Sequence, residues 1–389
     1  MKYLLTVISV CLLIYQLVGV AEAQDIIAEG TYNMGDGETP TVAESRALLQ
    51  AKRIALEQAG TYVNSYSKVK NFQLTNDEIH VLASGLIAVE ILEKKRTIVG
   101  DGINFWVKIK AIVSTDNMAD MAKRIKQHSV IENYRKIQDA YDSSQKEIEE
   151  LKKQLAEATG GHKKKLVGTK IAHAEKLFQT ETLMEKGYHY DLNNQADEAI
   201  KAFSQAIKLS PMASDPYFLR GGMYAKKEQY NLALKDLNRA IELNSTNYLA
   251  YYLRGAIYDW KKNEGKAIED YSRVINGRSA DDLDVYLRRG NIYLKRKMYD
   301  RAIEDFNRDI IINPVNGQSY FSRGLAFFAN GRLIRSLADY QKACDLGDSG
   351  GCKLLKKTEP FVASVITDFE KRCNSGEQKV CEALQTVLQ

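Results

Sequence analysis

The chain has 389 residues, 44% of them hydrophobic, which is enough for two or three cored units, and its formal net charge is only +5. That charge comes from helices of mixed sign rather than a basic stripe, which excludes nucleic acid as a partner. Beyond residue 20 no stretch approaches the length needed to span a membrane.

At the start, Lys2 precedes an apolar run from Leu4 to Val20 that ends in Ala21-Glu22-Ala23. This is the pattern of a secretory signal with an A-x-A cleavage site over residues 1–23, so the mature chain is expected to begin near Gln24 and to be periplasmic. The alternative is an uncleaved inner-membrane anchor through residues 4–20, which would be the chain's membrane contact. Cys11 lies inside the run behind Val10, which is too bulky for a lipoprotein signal.

Residues 24–116 read as a small α+β domain in the order strand, helix, hairpin. "IIAEGTYNM" (26–34) has strand composition and leads into the turn formers "GDGETP". Thr41 with Glu44 three residues on has the spacing of a capping box, and Ala43, Ala47, Ala51, Ile54, Ala55 and Gln58 then share one helix face until Gly60. Two strands over 86–113 meet at Gly100-Asp101-Gly102, with Ile103, Phe105, Val107, Ile109, Ala111 and Val113 alternating on one side. The stretch "AKRIALEQAGTYVNSYSKVKNFQLTNDEIHVLASG" (51–85) resembles the N-terminal domain of the flagellar assembly protein T family and related envelope-lipoprotein domains. That resemblance implies a place in the cell envelope and an assembly role, and it transfers no site residue.

Residues 117–179 are helical and strongly charged. Tyr134, Ile137, Tyr141, Ser144, Ile148, Leu151, Leu155 and Ala158 follow a three-four spacing. Both a coiled coil through 130–158, giving a weak homo-oligomer, and a long helix packed on its own chain fit it. Gly160-Gly161 and the following "HKKK" mark a linker.

From residue 180 to 350 the chain repeats itself. Gly187, Gly221, Gly255, Gly290 and Gly324 are spaced by 34, 34, 35 and 34 residues. An aromatic follows each by three residues (Tyr190, Tyr224, Tyr258, Tyr293, Phe327), a small residue by twelve, and a large one by sixteen (Phe203, Leu237, Tyr271, Phe306, Tyr340). These spacings resemble the tetratricopeptide repeat (TPR), a helix-turn-helix unit of 34 residues, and imply five stacked hairpins sharing one core in an all-α superhelical solenoid. Arg220, Arg254, Arg289 and Arg323 precede four of the glycines, and Asp236, Asp270, Asp305 and Asp339 recur with them. The pairing predicts a structural Arg–Asp bridge within each hairpin rather than an anion-binding ladder.

The TPR resemblance further implies that the first helix of each unit lines the inner face. It places Met184, Tyr188, Phe218, Tyr252, Trp260, Leu287, Asn291, Lys295, Phe321 and Phe328 in an apolar, aromatic groove suited to an extended peptide or an amphipathic helix of a protein partner. The lysine-and-asparagine clamp that some members close on a partner's terminal carboxylate is missing, since Met184, Tyr188, Phe218, Gly222, Tyr252 and Ala256 stand in those places.

The tail, 351–389, forms a helical cap. Cys344, Cys352, Cys373 and Cys381 are an even set in an oxidising compartment, seven residues apart within each pair. Zinc or redox use would favour closer C-x-x-C pairs. The arrangement across a helix-turn-helix resembles the cysteine-rich SEL-type repeat, which implies bridges Cys344–Cys352 and Cys373–Cys381 stapling the open end of the solenoid.

Catalytic patterns are thin. Ser65-Tyr66-Ser67-Lys68 and Ser143-Ser144-Gln145-Lys146 both match S-x-x-K, and neither comes with the other motifs of penicillin-recognising enzymes. His80, His128, His162, His173 and His189 are scattered without metal-ligand spacing, so neither a metal nor a cofactor is expected. The sequence therefore reads as a non-enzymatic exported scaffold or adaptor for envelope assembly, with a cell-wall-active or penicillin-binding protein as the alternative.

Overall fold

A computed structural model of the protein describes residues 24–36, 38–69, 74–100, 102–113, 122, 128–277, 283–375 and 377–379. The predicted signal, Cys381 and the side chains of Tyr134, Ile137 and Tyr141 lie outside the described residues. The chain divides into two compact units between Met223 and Tyr224.

The first unit opens with a three-stranded antiparallel sheet in the order β1-β3-β2, from β1 (Gln24–Met34), β2 (Ile87–Val99) and β3 (Gly102–Val113). Ile26 sits opposite Ala111 and Ile91 opposite Ile109, so the apolar set of each strand shares one face. Helix α1 (Pro40–Val69) lies on that face. Its stripe Ala43, Ala47, Ala51, Ala55 and Ala59 is fully buried, and a Cβ on Gly30 of β1 would collide with the Ala47 carbonyl and the Ala51 backbone nitrogen. Alanine and glycine thus bring helix and strand backbones together, as expected, whereas Ile54 and Gln58 fall on the exposed side.

Three details of the sequence reading are corrected. Helix α1 begins at Pro40, one residue before Thr41, and runs through Gly60. The capping box belongs instead to an unexpected second helix, α2 (Asn76–Leu86), where the Glu78 amide donates to Thr75 Oγ1 at 3.3 Å and the Thr75 amide to Glu78 Oε2 at 2.6 Å. The linker at Gly160-Gly161 is a tight turn, with Gly160 at φ +97°, between α3 (His128–Glu157) and α4 (Gly161–Leu192), and "HKKK" starts the second of these helices.

The spacing expected of a coiled coil is satisfied within the chain. Ile148, Leu151 and Leu155 of α3 pack against Val167, Ile171 and Ala174 of α4. Helix α4 then continues across residue 180 into the first repeat, and Phe178, Met184, Tyr188 and Leu192 join the core of the sheet domain.

A polar clamp secures this junction. Lys152 Nζ lies 2.6 Å from Glu38 Oε2 and 2.8 Å from the Tyr32 hydroxyl, which itself donates to Glu38 at 2.7 Å. The Thr39 amide, just ahead of α1, donates to Glu175 of α4 at 2.6 Å, so a carboxylate of the hairpin takes the anion position at the helix start. Burial nevertheless holds the Glu175 carboxyl above the ordinary range. Arg46, 3% exposed, is sandwiched between the Tyr32 and Phe178 rings at 5.5 and 4.3 Å, and among the described residues none of its guanidinium nitrogens has a hydrogen-bond partner. Helices α5 (Ala196–Leu209) and α6 (Ser214–Lys226) follow, with Phe203 and Met223 in a smaller core.

In the second unit, α7 (Tyr230–Leu243) precedes the hairpins α8/α9 (Tyr248–Trp260, Glu264–Asn276), α10/α11 (Val285–Lys295, Tyr299–Ile312) and α12/α13 (Gly317–Ala329, Leu333–Asp345), and α14 (Ser349–Asn374) closes the order. The repeated glycine lies directly against the ring of the repeated large residue. A Cβ would fall 2.9 Å from Tyr271 at Gly255, 2.7 Å from Phe306 at Gly290 and 2.7 Å from Tyr340 at Gly324. Each of these rings is almost fully buried.

The Arg–Asp reading holds and extends. Arg254, Arg289 and Arg323 donate Nε and Nη2 to both oxygens of Asp270, Asp305 and Asp339 at 2.7–2.9 Å. Their Nη1 atoms reach back to Asn238, Ser272 and Asn307, each on the second helix of the preceding hairpin. In the first unit Arg220 makes the same backward bond to Ser204 at 3.0 Å. In the three hairpins of the second unit the arginine therefore ties the hairpin to itself and to the helix before it.

At the far end Cys344 closes α13, Gly347 turns the chain at φ +86°, and Cys352 lies in the first turn of α14, their Cα atoms 4.5 Å apart and within bridging reach. Helix α14 is continuous from Ser349 through Pro360 to Asn374, so the hairpin that the SEL-type resemblance implies is a single long helix over that span.

Candidate functional site

The ten residues expected to line a groove divide into two sets. Met184 and Tyr188 are buried in the core that α4 shares with the sheet domain, and Leu287 is buried among Tyr293, Phe306 and Phe327, so these three are not open to a partner. They are large apolar side chains on helices that the fold covers, which a periodic pattern alone does not reveal. Phe218 is half-buried on α6, and Phe321 packs its ring 6.3 Å from Tyr340 with Gly350 against its edge.

The others stay accessible on the first helices of the second unit. Trp260 is 61% exposed and stacks on Tyr230 at 4.2 Å between ring centroids. A shallow cavity of about 260 Å³ lies beside it, lined by Glu228, Gln229, Tyr230, Asn231, Leu232 and Lys261. Phe328 is partly exposed, 6.5 Å from Phe361 of α14. Asn291 is half-buried, and the exposed Lys295 lies 3.7 Å from Asp259.

Tyr252 anchors a network that the sequence did not announce. Its hydroxyl donates to Asp284 Oδ1, and Arg288 Nε donates both to that oxygen, at 2.8 Å, and to the Tyr252 oxygen, at 3.0 Å. Burial and the adjacent Asp284 carboxylate push the Tyr252 phenol up to about 12, so it is a proton donor throughout the working range of pH. Close by, Asp309 accepts hydrogen bonds from Ser319 and Asn316, joining α11 to the start of α12.

Another feature of the hairpins also escaped the sequence reading. Asn194, Glu228, Lys262, Lys297 and Gly331, each seven residues after a repeat glycine, all have φ between +58° and +78°. In each of these turns the next amide returns to the aromatic's carbonyl, as Asn263 does to Tyr258 at 2.8 Å. Only the last turn has the glycine that would have signalled it.

Two of the residues weighed for chemistry are bonded locally. Ser65 Oγ donates to the Thr61 carbonyl of its own helix at 3.0 Å, and the Lys68 side chain lies outside the described residues. His189 Nε2 contacts the Ile87 carbonyl at 3.0 Å, and burial lowers its pKa. Among the described residues no three His, Cys, Asp or Glu side chains gather as a metal site would require, and no helix is long and apolar enough to cross a membrane.

Comparison with known proteins agrees with the fold. The family model described as tetratricopeptide repeat matches residues 185–248 and 287–350, together about a third of the chain. No curated protein matches the sequence. Among solved structures, the MamA protein is 25% identical over 43% of this chain and 91% of its own, with a TM-score of 0.40. YrrB, described as a TPR protein with an unusual peptide-binding site, is 17% identical over 48% of this chain and 96% of its own, at 0.42. The first TPR of Spaghetti (RPAP3), solved with an HSP90 peptide, is 25% identical over 29% of this chain and 92% of its own, at 0.28. The helical part of the chain, following its small three-stranded sheet domain, is a tetratricopeptide-repeat solenoid.

Proposed function

We propose that the chain is an exported, non-enzymatic adaptor that holds a segment of a protein partner on the first-helix face of the second unit. The observation that carries this reading is the contrast between repeated and unrepeated residues. The repeated glycines and large rings, and the Arg–Asp pairs of Arg254, Arg289 and Arg323, are consumed by packing, while Trp260, Asn291, Lys295 and Phe328 differ from unit to unit and stay accessible. Export rests on Lys2, the apolar run and the A-x-A triplet, and a role in envelope assembly rests on the resemblance of residues 51–85. In an oxidising compartment Cys344 and Cys352 bridge, holding the last hairpin against fraying.

The test is co-purification from envelope extract with intact protein and with Trp260→Ala and Phe328→Ala combined. Loss of the captured proteins, with helicity unchanged by circular dichroism, is expected. Recovery of the same proteins at the same yield overturns the reading. Deleting residues 180–350 is the wrong experiment, because it cuts α4 in the middle and strips the sheet domain of Met184, Tyr188 and Leu192.

A further inference from the structure

The five units serve as controls for one another, and the fourth stands apart on its first helix. Two residues before the repeat glycine the chain has Glu185, Leu219, Leu253, Arg288 and Ser322. One residue after the glycine it has Tyr188, Gly222, Ala256, Asn291 and Leu325, and five after it Leu192, Lys226, Trp260, Lys295 and Ala329. Only in the fourth unit do all three places carry polar groups without a large ring. Arg288, Asn291 and Lys295 are related by steps of three and four, so they form one stripe about 10 Å long on α10.

The two neighbouring arginines of α10 have opposite fates. Arg289 is largely buried, and all its nitrogens are used on Asp305 and Ser272. The Arg288 side chain is 40% exposed and is held only through Nε, by Asp284 and Tyr252, with its guanidinium 5.6 Å from the Tyr252 ring. That attachment fixes the plane of the group and leaves the two terminal nitrogens, the edge that takes a carboxylate in a bidentate manner, without partners among the described residues. One turn on, the Asn291 side chain makes no hydrogen bond among the described residues, and Lys295, 53% exposed, has among them a long contact to Asp259. The surrounding unit is basic as well: from Tyr224 to the end of the chain 27 Lys and Arg stand against 22 Asp and Glu.

We infer that this stripe is a reader of acidic segments: Arg288 takes a side-chain carboxylate of the partner end-on, Asn291 bonds the partner's backbone, and Lys295 meets a second acidic side chain further along. The inference rests on the proposed partner-binding face and names the chemistry of what occupies it. Tyr252 and Asp284 are positioning residues, which hold the guanidinium at the required angle and make no contact with the ligand.

The probe is fluorescently labelled acetyl-hexaglutamate amide, which has no terminal carboxylate, titrated against the full-length exported chain at low salt with hexaglutamine amide as its neutral twin. Saturable binding of the glutamate peptide alone is expected, about tenfold weaker in Arg288→Gln. Tyr252→Phe, which frees the guanidinium without removing it, is expected to weaken binding by less, and Lys353→Gln, at an exposed lysine of α14, to leave it unchanged. No binding, equal binding of both peptides, or equal affinity in Arg288→Gln overturns the inference. The partner-binding face itself survives that result as long as Trp260→Ala with Phe328→Ala still abolishes co-purification, so the two failures are distinguishable.

Discussion

Replacing Gly290 by alanine tests the packing rule of the array. Two effects oppose each other. In a helix, Gly→Ala contributes about 1 kcal/mol of propensity, and a glycine on a free surface would yield that gain. At Gly290 the new Cβ would lie 2.7 Å from Phe306 Cε1, 3.0 Å from Cδ1 and 3.2 Å from Asp305 Cβ, where carbon atoms normally rest at about 3.5–4 Å. Phe306 is fully buried and Asp305 is tied to Arg289 by two bonds, so neither neighbour yields cheaply. Overpacking of this kind costs about 1–3 kcal/mol, leaving a net loss near 1 kcal/mol. The control is Gly265→Ala on α9, where nothing lies within 4 Å of the added carbon and the propensity gain stands alone. For a unit of this size the two variants should move the melting temperature in opposite directions by about 2–4 °C each, read by circular dichroism. Phe306→Leu in the Gly290→Ala background should recover part of the loss relative to Phe306→Leu alone. A Gly290→Ala protein that melts as high as Gly265→Ala refutes the close-contact account.

Asp305→Ala leaves the guanidinium of Arg289 buried without its carboxylate and is expected to cost about 3 kcal/mol in denaturant unfolding, more than Arg289→Met combined with Asp305→Leu. Lys297→Gly, at a residue held at φ +60°, should stabilise the second unit by about 1 kcal/mol, measured by the same unfolding experiment. Glu181 of α4 is pushed up to about 7 by burial and by the Asp215 carboxylate. A raised acid favours the folded state below its unfolded pKa, so this contribution is lost as pH rises through 7; thermal unfolding should show a fall in stability from pH 5 to pH 8 that Glu181→Gln removes. In exported protein Cys344 and Cys352 should escape alkylation until reduced, read by mass, and reduction should remove about 2.5 kcal/mol of stability for a nine-residue loop; alkylation of either position without prior reduction would count against the cap.

Much of the fold was legible in the sequence because it depends on period. The glycine at intervals of 34 or 35 residues, the ring sixteen later and the Arg–Asp pair are each set by contacts inside one hairpin, and they reappear where the spacing put them. The alternation of β3 and the alanine stripe of α1 were readable for the same reason. What the sequence hid depends on which unit is whose neighbour. Met184 and Tyr188 occupy groove positions by register, but the sheet domain covers them; the three-four pattern of α3 suits a second copy as well as α4, and only the fold chooses. The left-handed turn residues were invisible because asparagine, glutamate and lysine hold four of the five places.

Arg46 shows how these levels combine. A cation buried without a hydrogen bond among the described residues is costly, and here the compensation is two aromatic faces together with the attraction of the Glu175 carboxylate, whose own bond goes to Thr39, beside the Lys152, Tyr32 and Glu38 cluster. Phe178 and Glu175 come from α4, Lys152 from α3, and Tyr32, Glu38 and Thr39 from the sheet domain, so the arginine is tolerable only while all three elements are assembled. The same helix α4 supplies the first helix of the first repeat. Folding of the sheet domain and of the first hairpin are thereby one event, and the connector that reads in sequence as a charged spacer is the piece that makes them so. The proposed partner face is placed on the second unit because Met184 and Tyr188, the groove positions on the first helix of the first repeat, are already buried in the core of the sheet domain.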